Sequence, residues 1–143
     1  MTFSTSAFAQ AGQTYPFKPI RAIVPFVAGG ATDIMARSLA QKLSEAFGQQ
    51  VIVDNRGGGG GVIAAVLAKE APADGYTIFF GTISTLSTNV AVNSKLPYHP
   101  LRDYAPITLT ATNPLFLVTH PSVPANSVKE FVALARAKPG QLN

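Results

Sequence analysis

The segment Ile20–Asp33, IRAIVPFVAGGATD, runs an apolar, β-branched stretch into paired glycines and straight into the start of a helix. Gly29 and Gly30 permit a sharp turn that residues carrying a Cβ resist. The helix that follows opens with backbone N–H groups lacking an intrahelical acceptor and with the positive end of its dipole, so the junction is an anion site made of main chain. A carboxylate or a phosphate suits that chemistry; a plain strand-to-helix connector is the other reading of these residues alone.

The alternation continues along the chain. Thr32–Phe47 carries Ile34, Met35, Leu39, Leu43, Ala46 and Phe47 near helical spacing, with Arg37, Gln41, Lys42 and Glu45 mostly between them and Gly48 as the stop. Gln50–Asp54 reads as a second strand, Asn55–Gly61 as a glycine-saturated turn, Val62–Ala71 as a helix ended by Pro72, and Tyr76–Phe80 as a third strand after the Ala73-Asp74-Gly75 turn. The order β-α-β-α-β with short connections predicts an α/β fold, a parallel sheet covered by helices. Right-handed crossovers then bring both glycine turns to the carboxyl ends of their strands, where open α/β sheets bind ligands. Beyond a small, hydroxyl-rich stretch, Gly81-Thr82-Ile83-Ser84-Thr85, the pattern predicts a short helix over Leu86–Asn93 and a proline-punctuated connector over Lys95–Asp103. Two further β-rich runs follow, Ala105–Thr112 and Leu115–His120, then a helix over Ser127–Ala137 with Ser127 as N-cap and Glu130 at the capping-box position.

Composition narrows the function. At 143 residues, 47% apolar and 13% charged, the chain has the make-up of a packed globular protein. Its net charge of +4 comes from 11 scattered Lys and Arg with no basic stripe, which argues against a nucleic-acid partner. With no cysteine there is no disulfide, thiolate nucleophile or zinc–thiolate site. No apolar run approaches the roughly 18 residues of a membrane span. Ala7-Phe8-Ala9 and Ala9-Gln10-Ala11 fit the small-x-small cleavage pattern of a secretory signal, yet Met1–Ser6 holds neither a basic residue nor an apolar core segment. Residues 1–13 are therefore read as a signal-peptide remnant or a disordered tail.

Gly59-Gly60-Gly61-Val62-Ile63-Ala64 satisfies G-x-G-x-x-A between a strand and a helix, so a small nucleotide-binding α/β enzyme using Gly59–Ala64 is the alternative reading. A run of five glycines makes the match cheap, and neither Glu70 nor Asp74 ends a strand as a ribose-binding carboxylate should. No catalytic group or metal set stands out: His99 and His120 each lie beside a proline with no ligand partner at suitable spacing, and Asp33, Asp54, Asp74 and Asp103 mostly occupy helix starts or turns, where capping is common. What remains is a binding design from three donor-rich loops on one sheet edge: Gly29-Gly30, the turn with Asn55 and Arg56, and Thr82, Ser84 and Thr85.

The ordered series YPFKPIRAIVPFVAGGATD, VDNRGGGGGVIAA, APADGYTIFFGT, KLPYHPLRDYAPITL and HPSVPANSVKEFVALARAKPGQLN, covering residues 14–143, closely resembles the Bug-type extracytoplasmic solute receptors of tripartite tricarboxylate transporters. The resemblance implies a two-lobed, periplasmic-binding-protein-like (Venus flytrap) fold, with residues 14–104 in lobe one and 105–143 beginning an incomplete lobe two. It implies a periplasmic, non-enzymatic protein without cofactor that captures a small carboxylate (a di- or tricarboxylate, or an amino or aromatic acid) and delivers it to membrane permease subunits. In this family the loop corresponding to Pro25–Asp33 is one jaw on the carboxylate, and small polar residues near Gly81–Ser84 line the cleft. The expected ligand-binding residues are thus Phe26, Val27, Ala28, Gly29, Gly30, Thr32, Asp33, Gly81, Thr82 and Ser84, with Phe26 and Val27 against an aliphatic ligand body. Family members are much longer, so the sequence is expected to represent a truncated, impaired receptor, with a non-functional fragment as the further alternative. Poor export and self-association through exposed sheet edges are expected with it.

Overall fold

A computed structural model describes residues 14–114 and 116–141. The signal-like stretch of residues 1–13, and Leu115 at the head of the second β-rich run, lie outside the described residues. The chain divides into two compact units, one up to Thr108 and one from Leu109.

The first unit is built on strand β1 (Ile20–Val24), in which Ile20, Ala22, Ile23 and Val24 are all fully buried. That burial follows from position. β1 is the central strand of a three-stranded parallel sheet of order β2-β1-β3, so it is covered on both faces and reads as a continuous apolar run rather than an alternating one. Strand β2 (Val51–Asn55) pairs with it from Ile20 opposite Val51 to Val24 opposite Asn55, and β3 (Thr77–Phe79) from Arg21 opposite Thr77 to Ile23 opposite Phe79.

Helix α1 (Ala31–Phe47) lies on one face. Its buried contacts are Ala36 and Ala40, small enough for the helix to approach the sheet closely, and Leu39 packs into the cluster of Ala22, Val24, Phe80, Val51, Val53 and Ile78. The end of α1 is tied to the next strand through Ser44, whose Oγ donates to Ala40 O (2.7 Å) and accepts the Val51 N–H (2.9 Å). Helix α2 (Val62–Glu70) follows β2 and buries Ala64 and Ala65. Because the chain moves one way from β1 to β2 and the other way to β3, right-handed crossovers put α1 and α2 on opposite faces, and the loops after β1 and β3 diverge. That divergence is a topological switch point, the place where open α/β sheets form a ligand crevice. Tyr104 closes the α2 side, stacking on Phe79 with ring centroids 5.5 Å apart and donating its hydroxyl to Ala65 O at 2.7 Å.

After β3 the backbone makes a wide π-type turn, Ser84–Thr88, that runs into the short helix α3 (Asn89–Val92), where the sequence predicts one short helix. In the second unit, helix α4 (Val128–Ala137) carries the expected N-cap: Ser127 Oγ accepts the Glu130 N–H at 3.2 Å. Glu130 reaches one residue further back than a capping box requires and accepts the Asn126 N–H at 2.7 Å. The two β-rich runs are a correction. Neither Ala105–Thr112 nor the described part of Leu115–His120 forms a strand, and Ile107, Leu109, Phe116 and Val118 are each about four-fifths exposed. β-branched and aromatic composition favours extended backbone, but a strand exists only when a neighbour completes the ladder.

Candidate functional site

Pro25 at the end of β1 is buried, Phe26 is half-buried, and Val27, Ala28 and Gly29 stand exposed, with Val27 74% accessible. Gly29 has φ +86°, a left-handed conformation that favours glycine, although a Cβ there would meet nothing within 4 Å. Gly30 is the N-cap of α1 in extended conformation, and no side chain caps the helix. The first backbone bond into the helix runs from Ile34 N–H to Gly30 O at 3.0 Å, so the N–H groups of Ala31, Thr32 and Asp33 form the open first turn. The glycine loop and the helix start without a side-chain cap that the sequence predicts are both present, with apolar Val27 exposed beside them.

Asp33, expected as a ligand contact, has its carboxylate engaged within the protein. Its side chain is 2% exposed and turned inward, behind the loop. Oδ2 accepts the Gly29 N–H (2.8 Å) and Arg37 Nε (3.0 Å), while Oδ1 accepts Asn55 Nδ2 (2.9 Å). The hydrogen bonds from Arg37, Gly29 and Asn55, outweighing the cost of burial, lower its pKa from 3.8 to about 2. The carboxylate is therefore ionised at neutral pH, and both of its oxygens are bonded within the protein, where they support the loop.

The turn after β2 packs beneath the first loop. Arg56 N–H donates to Val24 O at 2.8 Å, extending the β1–β2 pairing past Asn55, and a Cβ on Gly57 would lie 3.6 Å from Val27 Cγ1. The donors expected of this turn are used internally: Asn55 joins Phe26 O (3.0 Å) to Asp33, and Arg56 Nε donates to Asp54 Oδ1 at 2.8 Å. Asp54 also accepts Arg21 Nε at 2.7 Å. Burial raises its pKa, but the two guanidinium groups prevail and hold it below the ordinary carboxylate value.

The third loop closes against the second. Thr85 is fully buried; its Oγ1 accepts the Thr82 N–H (2.9 Å) and donates to Thr82 O (3.1 Å), folding Gly81–Thr85 on itself. Tyr98 donates its hydroxyl to Thr85 O at 2.6 Å, and Asn89 Nδ2 donates to Gly60 O at 3.0 Å. Gly81 is exposed, and Thr82 and Ser84 are half-buried. Exchanging Thr85 for valine keeps the shape but strands the Thr82 N–H. We expect a loss of about 1–3 kcal/mol in denaturant unfolding, against about 1 kcal/mol for Thr85→Ser, which keeps the hydroxyl and loses one buried methyl.

Gly59–Ala64 has no room for a nucleotide. The second glycine of a fingerprint must stay bare so that pyrophosphate can approach the backbone closely. Here that position is Gly61, which Thr85 and Pro25 cover, a Cβ there lying 2.5 Å and 3.1 Å from their side chains, and Asn89 covers the neighbouring Gly60. Those glycines serve the packing of loop on loop. Among the described residues no group of His, Asp and Glu could hold a metal ion. Arg37, Asn89 and Tyr98 escape the sequence reading. The i,i+4 spacing of Asp33 and Arg37 is a legible signal for the first, whereas nothing local marks the other two.

The parallel α/β unit has the fold of periplasmic solute-binding proteins. Residues 35–143 match the tripartite tricarboxylate transporter family receptor, and the chain belongs to that family. It is 40% identical to protein BugT of Bordetella pertussis over 130 residues, 90% of this chain and 40% of that protein. Among solved structures, an R. palustris protein with adipate is 39% identical with a TM-score of 0.80, covering 90% of this chain and 43% of that one. MatC from Rhodopseudomonas palustris with bound malate is 31% identical with a TM-score of 0.79, over 86% and 42% of the two chains. The chain thus spans about two fifths of the length of the relatives it matches. Among the described residues no helix is long and apolar enough to cross a membrane.

Proposed function

We propose that this chain provides one jaw of a non-enzymatic, extracytoplasmic receptor that takes up a small dicarboxylate and presents it to membrane permease subunits. The observation that carries the reading is the open first turn of α1 at Gly30–Thr32, facing solvent at the carboxyl edge of the sheet. One ligand carboxylate receives the Ala31 and Thr32 N–H groups and the dipole end of α1, and Val27 and the half-buried Phe26 flank its aliphatic body. Gly81, Thr82 and Ser84 border the same edge from the third loop. That adipate and malate, both dicarboxylates, occupy the two R. palustris neighbours supports the choice of ligand class.

Thermal unfolding of the full chain with millimolar adipate, malate or citrate, and with ATP as a comparison, tests this. A cooperative transition raised by one or more acids is the expected result, since ligand at about 100 times its dissociation constant adds roughly 2.7 kcal/mol. A transition blind to every acid but raised by ATP would reverse the reading in favour of Gly59–Ala64.

A further inference from the structure

We propose that Asn55 is the positioning residue of this site, holding the Phe26–Gly30 loop in its anion-accepting form without touching the ligand. This rests on the function proposed above. Asn55 is the last residue of β2, paired in register with Val24, so the sheet itself sets where its side chain starts. From there Nδ2 donates to Phe26 O at 3.0 Å and to Asp33 Oδ1 at 2.9 Å, and Oδ1 accepts Arg37 Nη2 at 3.1 Å. Asp33 Oδ2 in turn accepts the Gly29 N–H at 2.8 Å and Arg37 Nε at 3.0 Å. The loop is thus pinned at both ends, the Phe26 carbonyl and the Gly29 N–H, to one amide–carboxylate pair.

Two consequences bear on binding. With those peptide groups held, the ordering cost of a loop carrying two glycines is met on folding rather than on capture. The Asp33 charge, which stands behind the helix N-terminus and would oppose an incoming carboxylate, is drawn toward Asn55 and Arg37 on the side away from the ligand. A carboxamide is suited to the place because it has two N–H donors and an acceptor on a short stem. Aspartate offers no donor and faces Asp33 with like charge, leucine keeps the bulk alone, and glutamine carries the same groups one methylene too far out.

The test uses the full chain as Asn55→Leu, Asn55→Asp, Asn55→Gln and the exchange pair Asp33→Asn with Asn55→Asp. Amide hydrogen exchange is read residue by residue without ligand, and adipate affinity by amide shift titration. We expect Asn55→Leu and Asn55→Asp to speed exchange of the Gly29 N–H, which Asp33 accepts, about tenfold or more and to weaken adipate by a similar factor, with β1 and β3 keeping their protection. Asn55→Gln falls between. The exchange pair recovers protection at Gly29, because the amide it places at position 33 can accept the Gly29 N–H and donate to the carboxylate it places at position 55. Unchanged loop protection in Asn55→Leu overturns the proposal. So does weaker binding with an unaltered loop, or protection lost evenly across the sheet. If the parent chain binds no acid, the functional reading fails, and the exchange measurements still decide the role of Asn55.

Discussion

Gly61→Ala is expected to destabilise the first unit by about 2–5 kcal/mol, close to the whole stability of a marginal domain. Two costs add. Gly61 has φ +89°, where an L-residue loses roughly 1–2 kcal/mol. The new Cβ would also lie 2.5 Å from Thr85 Cγ2 and 3.1 Å from Pro25 Cβ. Both partners are fully buried, so relief requires parting the loops, an overpacking cost of about 1–3 kcal/mol. Gly81→Ala is the informative comparison. Its Cβ would meet Leu86 Cδ1 at the same 2.5 Å and Cγ at 2.9 Å, but Leu86 is 41% exposed and its whole side chain can turn outward about χ1, and no left-handed backbone adds strain, so the loss should stay within about 1–2 kcal/mol. Urea unfolding of the three proteins measures the difference, and equal midpoints for Gly61→Ala and the parent would contradict this packing of loop on loop.

The largest functional effect is expected from Asp33→Leu, which should abolish the response to carboxylates although Asp33 is buried behind the loop. The substitution preserves bulk but leaves the Gly29 N–H, the Asn55 amide and the Arg37 guanidinium without their common acceptor, so the Gly29 end of the loop is released and only the Asn55 bond to Phe26 O remains. Asp33→Asn should be milder, keeping an acceptor for Gly29 while losing the charge that engages Arg37. A pH signature accompanies the change. With its pKa lowered from 3.8 to about 2, folding favours the ionised form of Asp33. Its contribution is fully present well above pH 3.8, declines as pH falls through 3.8 towards 2, and is gone below that. The parent melting temperature should therefore fall across this window. Asp33→Leu should flatten the fall without removing it, because Asp54, Asp74 and Asp103 also have lowered values. Melting curves between about pH 2 and 5 for both proteins test the sign, and parallel slopes would show that Asp33 is not held by these bonds.

The β-α-β-α-β order was legible because each element carries its own signal within a few residues. Ile20–Val24 is apolar at every position but Arg21, α1 is periodic and ends at Gly48, and α2 stops before Pro72. The open helix start at Gly30 was legible for the same reason: glycine pairs and helix ends are local features, and their chemistry comes from the backbone. The capping of α4 by Ser127 belongs to the same class.

Direction and partnership were not legible. The sequence marks Asp33 as acidic beside a glycine turn, which suits either a ligand contact or a helix-start support; its inward turn depends on Asn55 arriving from β2, 22 residues away. Asn55 looks like a free donor in a polar turn until the sheet register brings it under Phe26, and Arg56 until its guanidinium turns back onto Asp54 two residues earlier. The glycine run resembles a phosphate loop until Thr85, Pro25 and Asn89 are seen to occupy it, and the runs near Ile107 and Val118 look like strands although no neighbour among the described residues pairs with them. The chain alone determined which segments are extended or helical, and where backbone groups stand open, because those follow from short-range sterics and hydrogen bonding. Only the tertiary structure decided which polar groups are used up within the protein and which remain for a ligand, because that depends on residues far apart in sequence meeting at one edge of a sheet.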